Sequence, residues 1–428
     1  MFTVIRNAWK IPELRKKLLF TLFILLIYRL GNAVPVPYVD VAALSEYFKQ
    51  SLSDTVLGLY NAMSGNAFSN ATVFALSIQP YINASIILQL LCIAIPALER
   101  LSKDGGEEGR KKIASITRYT TVGLGLLMGI AYTVMLHNYN LLTESGFVYY
   151  AVIVLTFTAG SAFLMWLGEQ ITEFGVGNGI SIILFASIIS RVPSSISTLI
   201  TNLVGGGIAW YTVLLVLIGV LLLITLIVFV TNAERRIPIQ YAKRVVGRKM
   251  YGGQSTNLPI KVNMSGVLPI IFAQSIASLP ATILAFCNTS GWGSFGQGFI
   301  KLTSPNGVVY AIVYFILIIA FSYFYAAVQY NPIEIANNLK KNGGFIPGFR
   351  PGRPTAEFIQ KVIMKITLFG ALYLGVVALM PIIVSGVTGL NTLSIGGTSI
   401  IIVVGVALET VKTLEAQMLM RHYKGFLE

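Results

Sequence analysis

The residues able to do chemistry are few, and most of them carry no charge. Histidine occurs only at His137 and His422, so a histidine metal cluster is excluded. No G-x-x-x-x-G-K-[ST] loop occurs, so nucleotide hydrolysis by that route is excluded too. Gly175, Gly177 and Gly179 imitate a dinucleotide fingerprint, but no strand pattern precedes them and they fall where the chain re-enters an apolar run. Glu409 is the acidic residue deepest in an apolar run; with Lys412 and Glu415 at three-residue spacing it reads as a salt-bridged helix end facing water. Arg29 and Arg191 fall near the ends of apolar runs, where long side chains extend to the interface. Ionisable groups inside spans mark proton and ion paths, and their scarcity counts against a coupled small-solute transporter. What remains is amide and hydroxyl chemistry. Ser77, Gln79, Asn83 and Gln89 share one apolar run, and Gln274, Ser275 and Ser278 share another. Such residues either glue helices together or form a polar seam between two helices that part, and both readings stand at this level.

The elements that must carry these groups are membrane helices. Of 428 residues, 55% are hydrophobic and 11% charged, against about 25% charged in a soluble domain. A water-soluble fold and disorder are both excluded. Apolar runs long enough to cross a bilayer lie near 18–34, 70–95, 118–137, 147–167, 179–200, 208–231, 265–286, 307–328, 362–385 and 396–416. None alternates with strand period, which excludes a β-barrel, so the expected fold is an all-α polytopic membrane protein of ten spans. All the Lys and Arg except Arg29, Lys49, Arg191 and Lys301 then fall on one side. The positive-inside rule makes that side cytoplasmic and puts both termini there. The first run loosely imitates a cleaved signal, but Arg29 interrupts its end and Pro35 and Pro37 follow, so it is read as a span. Cys92 and Cys287 fall at opposite faces and are expected to be free thiols.

Five spans precede Gly205-Gly206-Gly207 and five follow it, dividing the chain into halves 1–200 and 201–428. An odd number per half requires that repeats, if present, be inverted about an axis in the membrane plane. The connection from Pro193 to Gly207 is then the hinge. The segment 57–68 is moderately apolar, rich in small residues and too short to span. It reads either as a half-helix lining a cavity or as an interfacial loop. The loops 231–263 and 329–360 are each about thirty residues, long for connectors and strongly basic. Attraction to anionic lipid and docking to an acidic protein or to RNA both explain them.

Read as strings, these segments resemble the bacterial SecY family, the channel subunits of the general secretion translocon. The resemblance covers essentially the whole chain: Pro35-Val36-Pro37; Phe74-Ala75-Leu76 and Pro80 through Ile86; Gly109 through Lys112 with Thr117-Arg118-Tyr119; Met165 through Thr172; Gly177 through Ile182; Gln254 through Met264; Asn337 through Lys341; Phe345 through Gly352; and Gly396 through Ser399. Ser77 and Gln79 depart from the small and apolar residues usual there.

The resemblance implies a clam-shell of two inverted five-helix halves around an hourglass pore, a protein-conducting channel and not an enzyme, with no cofactor. It implies a pore ring of Ile78, Ile82, Ile180, Leu184, Ile271 and Ile402. It makes the short helix of about 57–68 a plug, with Leu57, Tyr60, Asn61, Met63, Ser64, Gly65 and Phe68. Gln79 and Asn83 would face Gln274 and Ser275 across a lateral gate. Arg236, Arg248, Lys249 and Arg350 would dock the SecA ATPase and the ribosome with its nascent chain. SecE, SecG, signal peptides, membrane lipid, YidC and SecDF are the other implied partners, and the bacterial plasma membrane the implied location. An accessory paralogue serving particular exported substrates is the alternative within the family.

Overall fold

A computed structural model describes the chain except residues 1, 49, 51–55, 104, 145, 206–209, 242–243, 247–248, 252–254, 265, 287–306, 389–396 and 425–428. Its helices are α1 (Phe2–Lys10), α2 (Pro12–Gly31), α3 (Val41–Tyr47), α4 (Val56–Ser64), α5 (Gln79–Ala94), α6 (Pro96–Lys103), α7 (Gly106–Asn138) and α8 (Phe147–Phe174). They continue with α9 (Gly179–Ile189), α10 (Val192–Val204), α11 (Trp210–Asn232), α12 (Leu268–Phe286), α13 (Val308–Gln329), α14 (Pro332–Lys341), α15 (Arg353–Thr388) and α16 (Gly397–Lys424). A helix therefore lies on each of the ten predicted runs. Among the described residues six helical stretches are long and apolar enough to cross a membrane, and α5 joined to α6 across a 107° bend makes a seventh. Cys92 is a free thiol, and Cys287 lies outside the described residues.

Several helices depart from their apolar runs for local reasons. The run at 70–95 becomes helical only at Gln79, with Pro80 in the first turn, where its missing N–H costs nothing. Upstream, Asn66, Ala71 and Ser77 have φ of 70°, 41° and 51°, which break any helix. The backbone there bonds to a distant segment: Val36 N–H donates to Ala71 O at 2.9 Å and Val73 N–H to Val34 O at 3.0 Å. Non-helical backbone at membrane depth is tolerated where protein surrounds it, and Phe74, Ala75, Leu76 and Ser77 are all buried. The left-handed backbone at Ser77 explains why a small residue suits that position. Its buried Oγ also has no hydrogen-bond partner. Ser77→Gly is expected to stabilise the fold by about 1 kcal/mol, read as a higher denaturation midpoint in detergent; an unchanged or lower midpoint contradicts this account. The fifth run breaks at Ser190-Arg191 into α9 and α10, with Pro193 in the first turn of the second piece.

The glycine string that imitated a nucleotide fingerprint has a packing role. Gly177 takes φ +74° in the turn from α8 to α9, and a Cβ on Gly179 would lie 1.9 Å from Gly168 O. Asn178 caps α9 by accepting from Ser181 N–H at 3.2 Å.

The two long basic loops are one folded unit. Strands β1 (Glu234–Tyr241), β2 (Arg244–Val246), β3 (Lys249–Tyr251) and β4 (Ser255–Lys261) come from the first loop, and β5 (Gly344–Phe345) from the second. They form an antiparallel sheet in the order β4-β1-β5 and a separate β2-β3 hairpin. Alternation along β1 buries Ile237 and Ile239 while its neighbours face out. Ile237 joins Ile260, Met264, Ile346, Ile359 and Ile363 in a small core, so the sheet is anchored on α15. Too long and too basic for simple connectors, these loops carry a small β-structure on an otherwise helical protein.

Candidate functional site

The largest buried cluster brings together residues from across the chain. Ile78 at the start of α5, Ile82 on α5, Leu184 on α9, Ile271 on α12 and Ile402 on α16 all belong to it, each less than a tenth exposed. Ile180 packs at its edge, with its Cδ1 over Gly168 of α8. All six residues expected in the ring thus converge on one apolar core, contributed by four helices. Met63 of α4 belongs to the same core. Branched aliphatic side chains offer water and ions no hydrogen-bond partner, so such a core is dry when closed.

The short helix α4 sits against that core. Leu57, Asn61, Met63, Ser64 and Phe68 are buried, and Tyr60 is half-buried. Its far end turns at Gly65, whose φ of +69° and close approach to Ser187 O and Ser190 Oγ leave no room for a side chain. Asn61 Oδ1 accepts from Ser69 N–H at 2.9 Å, and Ser64 Oγ from Phe68 N–H at 3.1 Å, folding the segment on itself. Two tyrosines hold it from outside. Tyr132 on α7 donates to Phe68 O at 2.6 Å; Tyr28 on α2 donates to Ser64 O at 3.3 Å and shares a 2.6 Å hydrogen bond with Ser187 on α9. The short segment is therefore well packed. Tyr28, Tyr132 and Ser187 were missed in the sequence; a tyrosine inside an apolar span is the signal, since a buried hydroxyl needs a partner.

Two glutamines meet at the helix. Gln79 Nε2 donates to Met63 Sδ at 3.1 Å, and Gln274 Nε2 lies 3.8 Å from the same sulfur. Both glutamines are buried, and with Tyr60, Ile271, Ser275 and Ser278 they line a small cavity. Asn83, one turn further along α5, is half-buried and does not line it. The two polar runs of the sequence thus meet through α4.

The basic positions are elsewhere. Arg236 on β1 and Arg350 between β5 and α15 are exposed. Lys249 begins β3, and Arg248 lies outside the described residues, in the two-residue link between β2 and β3. Arg350 sits on a fixed turn: Thr355 Oγ1 donates to its carbonyl at 2.7 Å, and the rings of Phe349 and Phe358 are 4.2 Å apart. Glu409, Lys412 and Glu415 are exposed as expected but form no ion pair with one another. Among the described residues an inter-helix pair forms instead between Arg118 Nε and Glu169 Oε1 at 2.9 Å, joining α7 to α8. No group of three His, Cys, Asp or Glu suited to a metal occurs among the described residues.

Known proteins resemble this chain in sequence and in fold. The family model described as SecY matches residues 72–411. Curated relatives include a protein translocase subunit SecY from Streptomyces scabiei, 46% identical, and one from Bacillus subtilis, 44% identical, each aligned over all of both chains. Among solved structures, one described as a protein conducting channel has a TM-score of 0.65 at 18% identity over 97% of each chain. Sec61 from a canine ribosome-channel complex has 0.61 at 16% identity, again over 97% of each. At those identities the solved structures speak for the fold, and the sequence relatives for the family. The chain belongs to the SecY family, the channel subunits of protein translocases.

Proposed function

We propose that this multi-pass protein of the bacterial membrane passes unfolded secretory polypeptides through the core of Ile78, Ile82, Ile180, Leu184, Ile271 and Ile402, and releases transmembrane segments sideways into lipid. The observation that carries the reading is the convergence of these side chains from four helices on one dry core, with α4 packed against it. An extended chain passing there meets conformable apolar side chains and no strong binding site. The halves 1–200 and 201–428 would part like a clam-shell, opening a lateral gate between α5 and α12, where Gln79, Gln274 and Ser275 line one cavity and Asn83 stands one turn further along α5.

The basic sheet unit would dock the SecA ATPase and the ribosome through Arg236, Arg248, Lys249 and Arg350, on the side that also carries both termini. A ribosome complex of the similar canine channel supports the ribosomal half of that reading. SecE, SecG, signal peptides, YidC and SecDF complete the proposed set of partners.

The test is reconstitution of the purified chain with SecE into liposomes, with SecA and ATP supplied. An unfolded precursor is expected to become protected from added protease, and absence of protection contradicts the channel reading. Deleting residues 59–67 would remove most of the plug. Protection is expected to persist in that variant while resting ion leak rises about tenfold, because the apolar core then closes alone. Loss of the folded protein would instead make α4 part of the structural core, which its hydrogen bonds to α2 and α7 make a serious competitor.

A further inference from the structure

The two halves of the chain touch along two seams of different character. On one side α12 meets α4 and α7 beside a cavity lined by Gln79, Gln274, Ser275 and Ser278. On the other side α16, the last helix, packs on α9 and α1. That second seam is apolar and closed where the two ends of the chain meet. Ala8 of α1, Leu14 of α2, Val176 and Leu414 of α16 are almost wholly buried and form one small core. Its centre is the turn from α8 to α9. Val176 N–H donates to Thr21 Oγ1 of α2 at 3.3 Å, and Thr21 Oγ1 donates in turn to Lys17 O at 2.9 Å. A Cβ on Gly175 would lie 2.6 Å from Thr21 Oγ1, so only glycine lets the turn sit so close to α2. On its other flank a Cβ on Gly177 would lie 3.6 Å from Thr410 Oγ1 of α16. Thr410 donates its hydroxyl within its own helix, to Val406 O at 2.7 Å. The turn is thus wedged between a helix of the first half and a helix of the second. Ile401 ties α16 to the second half, in the core that also holds Ile227 and Leu374.

We infer that the Gly175–Gly177 turn is a pivot, the fixed point on the face of the chain ends about which the two halves swing when the gate opens. The proposal rests on the gate reading given above. A covalent link between the halves at the far face, after α10, fixes one point and leaves every direction of swing open. A second fixed point defines an axis. α9 starts at Gly179 beside the turn and ends at Ile189, where the chain passes into α10, so it runs from one point to the other. Rotation about that line moves α12 sideways from α5 along its whole length, which gives an opening toward lipid. The contact suits the task. Apolar attraction has no preferred direction, so methyl groups and glycine backbone tolerate a small rotation without losing a hydrogen bond. Tightly packed side chains also resist being pulled apart. The opposite seam, with its cavity and polar lining, has less to hold it.

The experiment ties each seam covalently and measures transport into liposomes, before and after reduction of the tie. Cys92 and Cys287 are first replaced by Ser. Val176→Cys with Leu414→Cys ties the pivot, and Gln79→Cys with Gln274→Cys ties the gate. A third pair, Ile227→Cys with Ile401→Cys, ties α16 to α11 within the second half. Oxidation is expected to leave transport within about twofold for the pivot and α16 pairs, and to lower it at least tenfold for the gate pair, because a tie at the axis moves least. A tenfold loss on tying the pivot, restored by reductant, would mean that this seam parts and would overturn the proposal. Loss on tying α16 to α11 would mean that α16 travels with the first half, which overturns it as well. Undiminished transport with the gate tied would instead remove the gate reading, and the proposal with it. If the Val176 and Leu414 variant does not fold, Val4→Cys with Met418→Cys tests the same seam at partly buried positions, and is expected to tolerate its tie equally.

Discussion

Asn at both Ile82 and Ile402 is expected to raise resting ion conductance about a hundredfold, while Leu at both leaves it near the parental level. The two side chains come from α5 and α16, are 7% and 3% exposed, and sit in the same core. A closed protein-conducting pore must exclude protons and yet widen for a polypeptide. An apolar ring does both, because an ion entering it loses hydration and gains no partner. Each amide placed there gives water a hydrogen-bond partner, and removing about 1–3 kcal/mol of desolvation cost twice multiplies into orders of magnitude. Leu keeps the volume and the dryness, so the comparison separates polarity from packing. Planar-bilayer recordings of the purified complex make the measurement. Equal conductance for the Asn and Leu variants would take these two residues out of the barrier.

Arg350→Glu is expected to cut SecA-driven translocation about a hundredfold while leaving insertion and folding intact. Its backbone is fixed by Thr355 and by the Phe349–Phe358 stack, and its side chain is exposed, so the guanidinium is displayed on a rigid turn. Reversing a charge that meets an acidic partner replaces attraction by repulsion. It removes nothing from the core around Ile346 and Ile359. Arg350→Lys should fall between the two, because an ammonium keeps the charge and loses the planar fork. The readout is precursor protected from protease in membrane vesicles, with channel abundance measured in parallel. Undiminished translocation by the Glu variant would leave lipid attraction as the explanation of this basic loop.

The sequence by itself determined the membrane class and roughly where its apolar helices lie. Bilayer thickness demands about 20 apolar residues per span and forbids charge within it, so the pattern is written locally. It also determined the family, through short strings, such as Gly177 through Ile182, spread along the whole chain. It identified the two polar runs, Ser77 to Gln89 and Gln274 to Ser278, but left their purpose open between packing and a seam.

Only the tertiary structure decided what those runs touch. Nothing local distinguishes Met63 from other buried methionines, because its polar contacts are Gln79, 16 positions away, and Gln274, 211 away in the chain. The late start of α5 was equally hidden. Residues 70–78 are apolar enough to be read as helix, but left-handed residues at 71 and 77 and hydrogen bonds to Val34 and Val36 override that tendency. The basic loops gave no sign that Tyr241 would pair with Gly344, since antiparallel pairing joins residues by register rather than by proximity in sequence. Naming Ile82 and Ile402 among so many isoleucines rests on the resemblance; the fold places both in one core with eight other isoleucines. Hydrophobicity says that a side chain leaves water, and only the packing of four helices says which ones it meets.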